Sequence, residues 1–377
     1  MRGTITAGID RQKGLPLRLS TLVVSTAVIS VMLGGAGPAA AVPSIGSVDL
    51  GSANSGSLGS TGSAMPGQYR EDPVELPALR DDITVAKIVS NEARSGQARR
   101  LTVDSPALRR TVGLDVLLPA DNSEPRPALY MLEGVGAGEN KSGWMSNGGA
   151  QDFFADKNVN VVLINGGVGS LYTDWDEIDA GVGLHKWETF ITEELPPLID
   201  AELHTNGVQS IAGNSMGAQG AMMLAHRNPG LYQGVAAMSG CYSTMDTLGN
   251  SSVQWTVTSR NGDPANMWGP IGGPGWAAHD TVLNAESLRG LEIYLSANSG
   301  LPGKYESSET PELLERLVIG GGLELASNLC TQVLDAKLKQ LKIPATVDYE
   351  PTGTHAWAYW EDQLAKAWPV LAKSLGV

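Results

Sequence analysis

Ser215 lies in Gly213-Asn214-Ser215-Met216-Gly217, a G-x-S-x-G pattern. That spacing suits a serine held on a tight turn and used as a nucleophile. Glycine and serine are frequent in this chain, so the pattern alone is weak and its flanks must carry the argument. A serine hydroxyl needs a base at neutral pH, and the base needs an orienting group. Five histidines are available. His185 and His204 precede the serine and fail the order nucleophile, acid, base. His226 reads as part of the serine's own helix, about 16 Å along it, too far to reach back. His279 and His355 remain. His279 sits in the Trp/Gly/Pro-rich segment GGPGWAAHD, as a loop or capping residue. His355 ends Pro351-Thr352-Gly353-Thr354-His355, directly after the last expected strand, and is the favoured base.

The acid stays open on spacing. The segment after the strand Leu291–Leu295 holds Ser296-Ala297-Asn298-Ser299, with no carboxylate. The candidates lie further on: Glu306, Glu309, Glu312, Glu315, Glu324 and Asp335. Most read as solvated helix charges. Glu324 stands apart in the uncharged, glycine-rich Gly320-Gly321-Gly322-Leu323-Glu324-Leu325-Ala326. An oxyanion forming at the serine needs N–H donors. Met216, at the start of a helix, supplies one. Val135 in Leu132-Glu133-Gly134-Val135-Gly136 is the natural second, because its glycine neighbours let backbone approach a ligand.

These groups need strands and helices to hold them. Val208–Ala212 reads as a buried strand, the run from the serine to His226 as a small-residue helix, and Gly234–Ser239 as another buried strand. Asn228-Pro229-Gly230 stops the helix. Strand, sharp turn and helix are the context a nucleophile elbow requires. Earlier strands are expected at Thr84–Ser90, Gln97–Val103, Arg110–Leu118, Pro127–Leu132 and Asn160–Ile164, and later ones at Leu291–Leu295 and Ala345–Tyr349. Helices are expected at Lys186–Ala201 and Asp362–Leu375. Alternating buried strands and helices predict an α/β fold: a mostly parallel central sheet with helices on both faces. With the elbow, that is the α/β-hydrolase fold.

The N-terminus reads as an export signal. Arg2, Arg11, Lys13 and Arg18 precede the apolar Leu19–Leu33, and Ala39-Ala40-Ala41 offers a cleavage site, giving a signal peptide over residues 1–41. Residues 42–67 are Ser/Gly-rich and nearly uncharged, a flexible linker. Residues 68–377 form the enzyme domain. No later stretch reads as a membrane span. A net charge of −14 argues against nucleic acid as a partner. No His/Cys cluster has metal spacing and no Gly-rich nucleotide fingerprint follows a strand, so no metal and no cofactor are expected.

Several motifs occur in an order that resembles the antigen 85 mycolyltransferases and their corynebacterial relatives. They are Tyr130 to Gly134 with Gly143-Trp144, Leu171-Tyr172-Thr173-Asp174-Trp175, Lys186-Trp187-Glu188-Thr189-Phe190 and Ser215-Met216. Met267-Trp268-Gly269-Pro270, His279-Asp280 and Gly353-Thr354-His355-Ala356-Trp357 complete the set. The match runs from roughly Arg110 to the C-terminus. The resemblance implies a secreted acyltransferase peripheral to the cell envelope, with Ser215 as nucleophile, His355 as base, Glu324 as orienting acid, and Val135 and Met216 as oxyanion donors. It implies trehalose mycolates and cell-wall glycolipid or polysaccharide as substrates. One departure matters: Glu133-Gly134-Val135-Gly136 stands where the family usually has Asp-Gly-Leu-Arg. The family's aspartate and arginine line its trehalose site, so Glu133 keeps a carboxylate for hydroxyls while the arginine is missing. Trp144, Trp175 and Trp357 either flank a sugar or alkyl chain beside Glu133 and Gly134, or pack in the core. An exported chain with two cysteines favours a disulfide, Cys241–Cys330. Three rivals share these features: a carboxylesterase using water, a mycolyltransferase acting on envelope protein, and a binding protein that keeps the fold without turnover.

Overall fold

The computed structural model describes residues 76–377. The signal peptide and linker expected over residues 1–41 and 42–67 lie outside the described residues.

The chain builds one nine-stranded sheet. Its strands are β1 (Lys87–Ala93), β2 (Ala98–Ser105), β3 (Arg110–Leu117), β4 (Ala128–Leu132), β5 (Asn160–Ile164), β6 (Gln209–Asn214), β7 (Gly234–Met238), β8 (Glu292–Asn298) and β9 (Thr346–Glu350). The spatial order is β1-β2-β3-β5-β4-β6-β7-β8-β9. β1, β2, β3 and β5 pair antiparallel in succession, and every pair from β5 through β4 to β9 is parallel. The longer helices are α1 (Leu195–Leu203), α2 (Met216–Arg227), α3 (Thr247–Thr258), α4 (Gly321–Leu341) and α5 (Trp357–Leu375).

β4, β5, β6 and β7 are buried at every position, as strands covered on both faces must be. Their side chains alternate between two cores. Tyr130, Leu132, Val162 and Ile164 join a cluster with α2, and Leu129, Met131, Val161 and Leu163 join one with α5. The mostly parallel sheet and its two helix-covered faces are those of an α/β-hydrolase.

Four elements differ from the sequence expectation; one is the C-terminal helix, which begins at Trp357 rather than Asp362. The first strand begins at Lys87 and runs to Ala93, three residues further along than expected, and pairs only with β2 as an edge. The helix expected over Lys186–Ala201 is present as a continuous helical run over 187–203, but it widens to a π stretch at Phe190–Glu194 before α1. Pro196 and Pro197 lack the N–H groups that would close i→i−4 bonds, and the wider π stretch directly precedes them. The helical run Leu313–Leu341 is long and apolar enough to count as a span by length and composition. It nevertheless packs α4 against β8, as a partly buried helix of the domain.

Candidate active site

The elbow joins β6 to α2. Ser215 occupies φ +54°, ψ −122°, a left-handed backbone that costs a non-glycine residue roughly 1–3 kcal/mol. Its own N–H donates to Met238 O at 2.8 Å, which anchors the turn to β7. The flanking glycines are required by contact. A Cβ on Gly213 would stand 2.3 Å from Gly217 O, and one on Gly217 would stand 2.6 Å from Glu133 O. The elbow is thus pressed against the end of β4, and the loop after β4 crosses beside the serine. A Cβ on Gly134 would be 3.4 Å from Ser215 Cβ.

His355 and Glu324 meet the serine in a line. His355 Nε2 is 2.7 Å from Ser215 Oγ, and His355 Nδ1 is 2.7 Å from Glu324 Oε2. With the proton on Nδ1, the ring donates to the carboxylate and accepts from the serine hydroxyl. His355 stands between β9 and α5 on a loop whose Gly353 has φ +130°. The Thr354 hydroxyl donates to Glu306 Oε1 at 2.9 Å, and the Tyr359 hydroxyl donates to Glu306 Oε2. Glu306 is therefore no solvated helix charge, as its sequence setting suggests. Its side chain is only 1% exposed, and it clamps the histidine loop from below. Asp335 is also buried rather than a free charge, accepting from Lys339 and Tyr349.

Glu324 is fully buried on α4, well inside the continuous helical run Leu313–Leu341. A buried carboxylate needs hydrogen bonds to every oxygen. Oε1 accepts from Ser239 Oγ at 2.8 Å and from Asn298 N at 2.7 Å, leaving Oε2 for the histidine. Ser239, at φ +57° just after β7, accepts in turn from Trp360 Nε1 at 3.1 Å. A disulfide joins Cys241, two residues beyond Ser239, to Cys330 on α4. It ties the carboxylate's helix to the end of β7. The other histidines belong elsewhere. His226 bonds Thr281 Oγ1, and His279 stacks on Trp268, with burial pushing its pKa down to about 3.

The serine opens into a cavity of about 650 Å³. Val135 and Met216 both line it beside Ser215. The N–H of Met216, in the first turn of α2, has no partner within that helix. Glu133 and Trp357 line the cavity on the loop side, and Glu133 Oε1 accepts from Gly143 N at 2.8 Å. Burial raises the Glu133 pKa to about 7, against the lowering effect of Ser142 and Gly143. Two of the three candidate tryptophans are corrected. Trp144 is fully buried behind Trp357, edge-on to it, with Nε1 donating to Leu132 O. Trp175 is 1% exposed in the core, bonded to Ser170 O and packed on His185. Neither reaches the cavity wall; their N–H groups satisfy backbone carbonyls instead. Trp255 on α3 does line the cavity, as do Asn214, Gln219 and Lys141. Sequence reasoning misses these four. Asn214 and Gln219 stand in and just beyond the elbow motif itself, and their polar character amid small residues is the available signal.

A hydroxyl, an imidazole and a carboxylate linked in this order, with N–H groups beside the hydroxyl, have the geometry for acyl transfer through a serine ester. The chain is similar to known proteins. The Esterase family model (putative esterase) matches residues 105–371. The chain is 32% identical over 284 residues to the diacylglycerol acyltransferase/mycolyltransferase Ag85A of Mycobacterium bovis BCG, spanning 73% of this chain and 81% of that protein. It is 31% identical over 258 residues to Ag85B of Mycobacterium intracellulare, covering 66% and 76%. Among solved structures, Mycobacterium tuberculosis MPT51 superposes with a TM-score of 0.60 at 22% identity, over 73% of this chain and 97% of that one. An S-formylglutathione hydrolase from Agrobacterium tumefaciens gives 0.56 at 17%, over 77% and 99%. At these identities the structural likenesses speak to fold.

Proposed function

The chain belongs to the antigen 85 family of esterase-type acyltransferases, and on that premise we propose that it is a secreted mycolyltransferase acting through a Ser215 ester. The observation that carries this reading is the unbroken line Ser215–His355–Glu324 opening on a cavity beside Val135 and Met216. Ser215 Oγ attacks the ester carbonyl of trehalose monomycolate while His355 Nε2 takes the hydroxyl proton. The N–H groups of Val135 and Met216 hold the oxyanion. Nε2 then protonates the departing sugar oxygen, leaving the mycolyl group on Ser215. A carbohydrate hydroxyl, of a second trehalose monomycolate or of arabinogalactan, gives its proton to Nε2 and attacks the ester. Ser215 recovers its proton as the product leaves. Glu324 holds the imidazole in the right tautomer and offsets its charge.

Glu133, Gly134 and Trp357 form the acceptor side, where the incoming hydroxyl must pass His355. Gly136 stands where the family has arginine, which favours an acceptor larger than trehalose, arabinogalactan or an envelope protein. Residues 1–41 export the chain and residues 42–67 tether the domain, placing it at the cell envelope. The test incubates the exported protein with trehalose monomycolate, with and without added trehalose, isolated cell-wall polysaccharide and envelope protein. New mycolyl esters on an acceptor support the proposal. Free mycolic acid as the sole product with every acceptor would leave a carboxylesterase in its place.

A further inference from the structure

The bonds around Glu306 converge on the histidine. Glu306 stands in the loop between β8 and α4, with its side chain 1% exposed. Oε1 accepts from the Thr354 hydroxyl at 2.9 Å. Oε2 accepts from the Tyr359 hydroxyl, and from Gly303 N at 2.8 Å. Arg316 Nη1 lies 3.8 Å from Oε1 and offsets the charge. Thr354 precedes His355, and Tyr359 lies four residues beyond it in the first turn of α5. One carboxylate thus grips the chain on both sides of the base. Backbone bonds tie the same loop: Gly300 N donates to Gly353 O at 2.9 Å, Gly353 N to Leu301 O at 2.7 Å, and His355 N to Gly320 O at 3.1 Å. Those bonds hold the chain up to the base, whereas Glu306 also reaches α5 beyond it. Glu306 does not line the cavity, so it touches neither the acyl group nor the acceptor.

We propose that Glu306 is a positioning residue for acyl transfer, holding His355 at hydrogen-bond distance from Ser215 through Thr354 and Tyr359. The inference rests on the Ser215 ester proposed above and adds the residue that keeps its base in place. A buried carboxylate without donors is costly, so Glu306 favours the arrangement in which both hydroxyls point at it. In that arrangement His355 Nε2 is 2.7 Å from Ser215 Oγ, and Nδ1 is 2.7 Å from Glu324 Oε2. Tyr359 also sets its neighbour. The Trp360 ring meets the His355 ring edge-on, with centroids 4.9 Å apart, and its Nε1 donates to Ser239 Oγ. Ser239 in turn donates to Glu324. Fixing the start of α5 therefore fixes a wall of the imidazole and steadies a donor to its orienting acid. A shift of about 1 Å in a reacting group can cost on the order of a hundredfold in rate, so the clamp should be read in kcat rather than in KM.

The test measures kcat and KM for nitrophenyl hexanoate, and the rate at which a small fluorophosphonate labels Ser215. It uses the wild type, Glu306→Ala, Glu306→Gln, Tyr359→Phe and the double variant Glu306→Ala/Tyr359→Phe. Rates are taken per serine labelled at completion, so an unfolded fraction does not enter. Glu306→Ala should lower kcat and the labelling rate by roughly a hundredfold while KM stays within about twofold. Glu306→Gln should recover most of that loss, because its carbonyl oxygen accepts from one hydroxyl and its N–H₂ group donates to the other. The double variant should be no slower than Glu306→Ala, since both changes break one link. Asp362→Ala is the control. It removes the partner of Lys304 and Tyr305 on the same loop, leaves the Glu306 bonds in place, and should keep kcat near wild type. Wild-type rates in Glu306→Ala, a loss in KM alone, no recovery in Glu306→Gln, or an equal loss in Asp362→Ala would overturn the positioning role. A labelled wild type beside unaffected variants refutes the clamp alone. A wild type that takes no label and turns over no ester refutes the Ser215 ester, and the clamp with it.

Discussion

Glu324 illustrates what a single buried carboxylate demands. Its two oxygens are divided between one imidazole and two fixed donors, Ser239 and the Asn298 N–H. Glu324→Gln replaces one acceptor oxygen by an N–H₂ group and mismatches either the histidine or those donors. Loss of kcat by roughly 10⁴ is expected, as for the corresponding change in serine proteases. Steady-state kinetics of Glu324→Gln beside Asp335→Asn checks this, with the latter staying near wild type; near-normal turnover by Glu324→Gln would reassign the acid. Glu133 makes a pH prediction. Its folded pKa of about 7 lies above the ordinary carboxylate value of 4.5. The folded state therefore binds the proton more tightly than the unfolded chain, and Glu133 contributes most stability at low pH. That contribution is lost as pH rises from about 4.5 through 7, by up to roughly 3 kcal/mol. Glu133→Gln should gain stability relative to wild type between pH 5 and pH 8 in chemical denaturation; a constant difference would contradict it. At this scale Ser215 and His355 can be picked out from motif and chain order, while the acid stands out only against its neighbours. Trp144 and Trp175 cannot be placed, because an indole looks the same in a sequence whether its N–H meets a ligand or a backbone carbonyl.

At the scale of elements, the site depends on α4 being held in place. That helix carries Glu324, and the Cys241–Cys330 bond fixes it to the end of β7 across a sequence separation of 89 residues. In the chain-entropy model a loop of this length contributes at most about 4–5 kcal/mol. Cys330→Ser should lower the stability of the exported protein by roughly 2–4 kcal/mol in urea denaturation, and an unchanged midpoint would argue against a structural role. The parallel strands are legible in the sequence because their apolar runs are short and bounded by turn residues. The helix over Lys186–Ala201 is legible from its apolar period, but its π stretch at Phe190–Glu194, just before Pro196-Pro197, is not. The link from Glu306 to the histidine loop joins Thr354 and Tyr359 across a long stretch of chain, which no local pattern reveals.

For the whole molecule, the question is which nucleophile reaches the acyl-enzyme. Water is abundant, so transfer prevails only if the acceptor is held in attack geometry, which can supply effective molarities of about 10⁵ M or more. Glu133→Ala and Trp357→Ala should shift products towards free acid, with a smaller change in release of the first alcohol. Equal losses in both steps would place these residues outside the acceptor side. The order of strands along residues 87–377 is legible in the sequence, whereas acceptor identity depends on cavity walls contributed by distant loops. The central claim is that Ser215 carries the acyl group. Mass analysis of protein quenched during turnover of an acyl ester tests it directly. The account predicts one added acyl mass on the peptide containing Ser215, and none on that peptide in Ser215→Ala. Turnover by Ser215→Ala at the wild-type rate, or an acyl group found on a different residue, would contradict it.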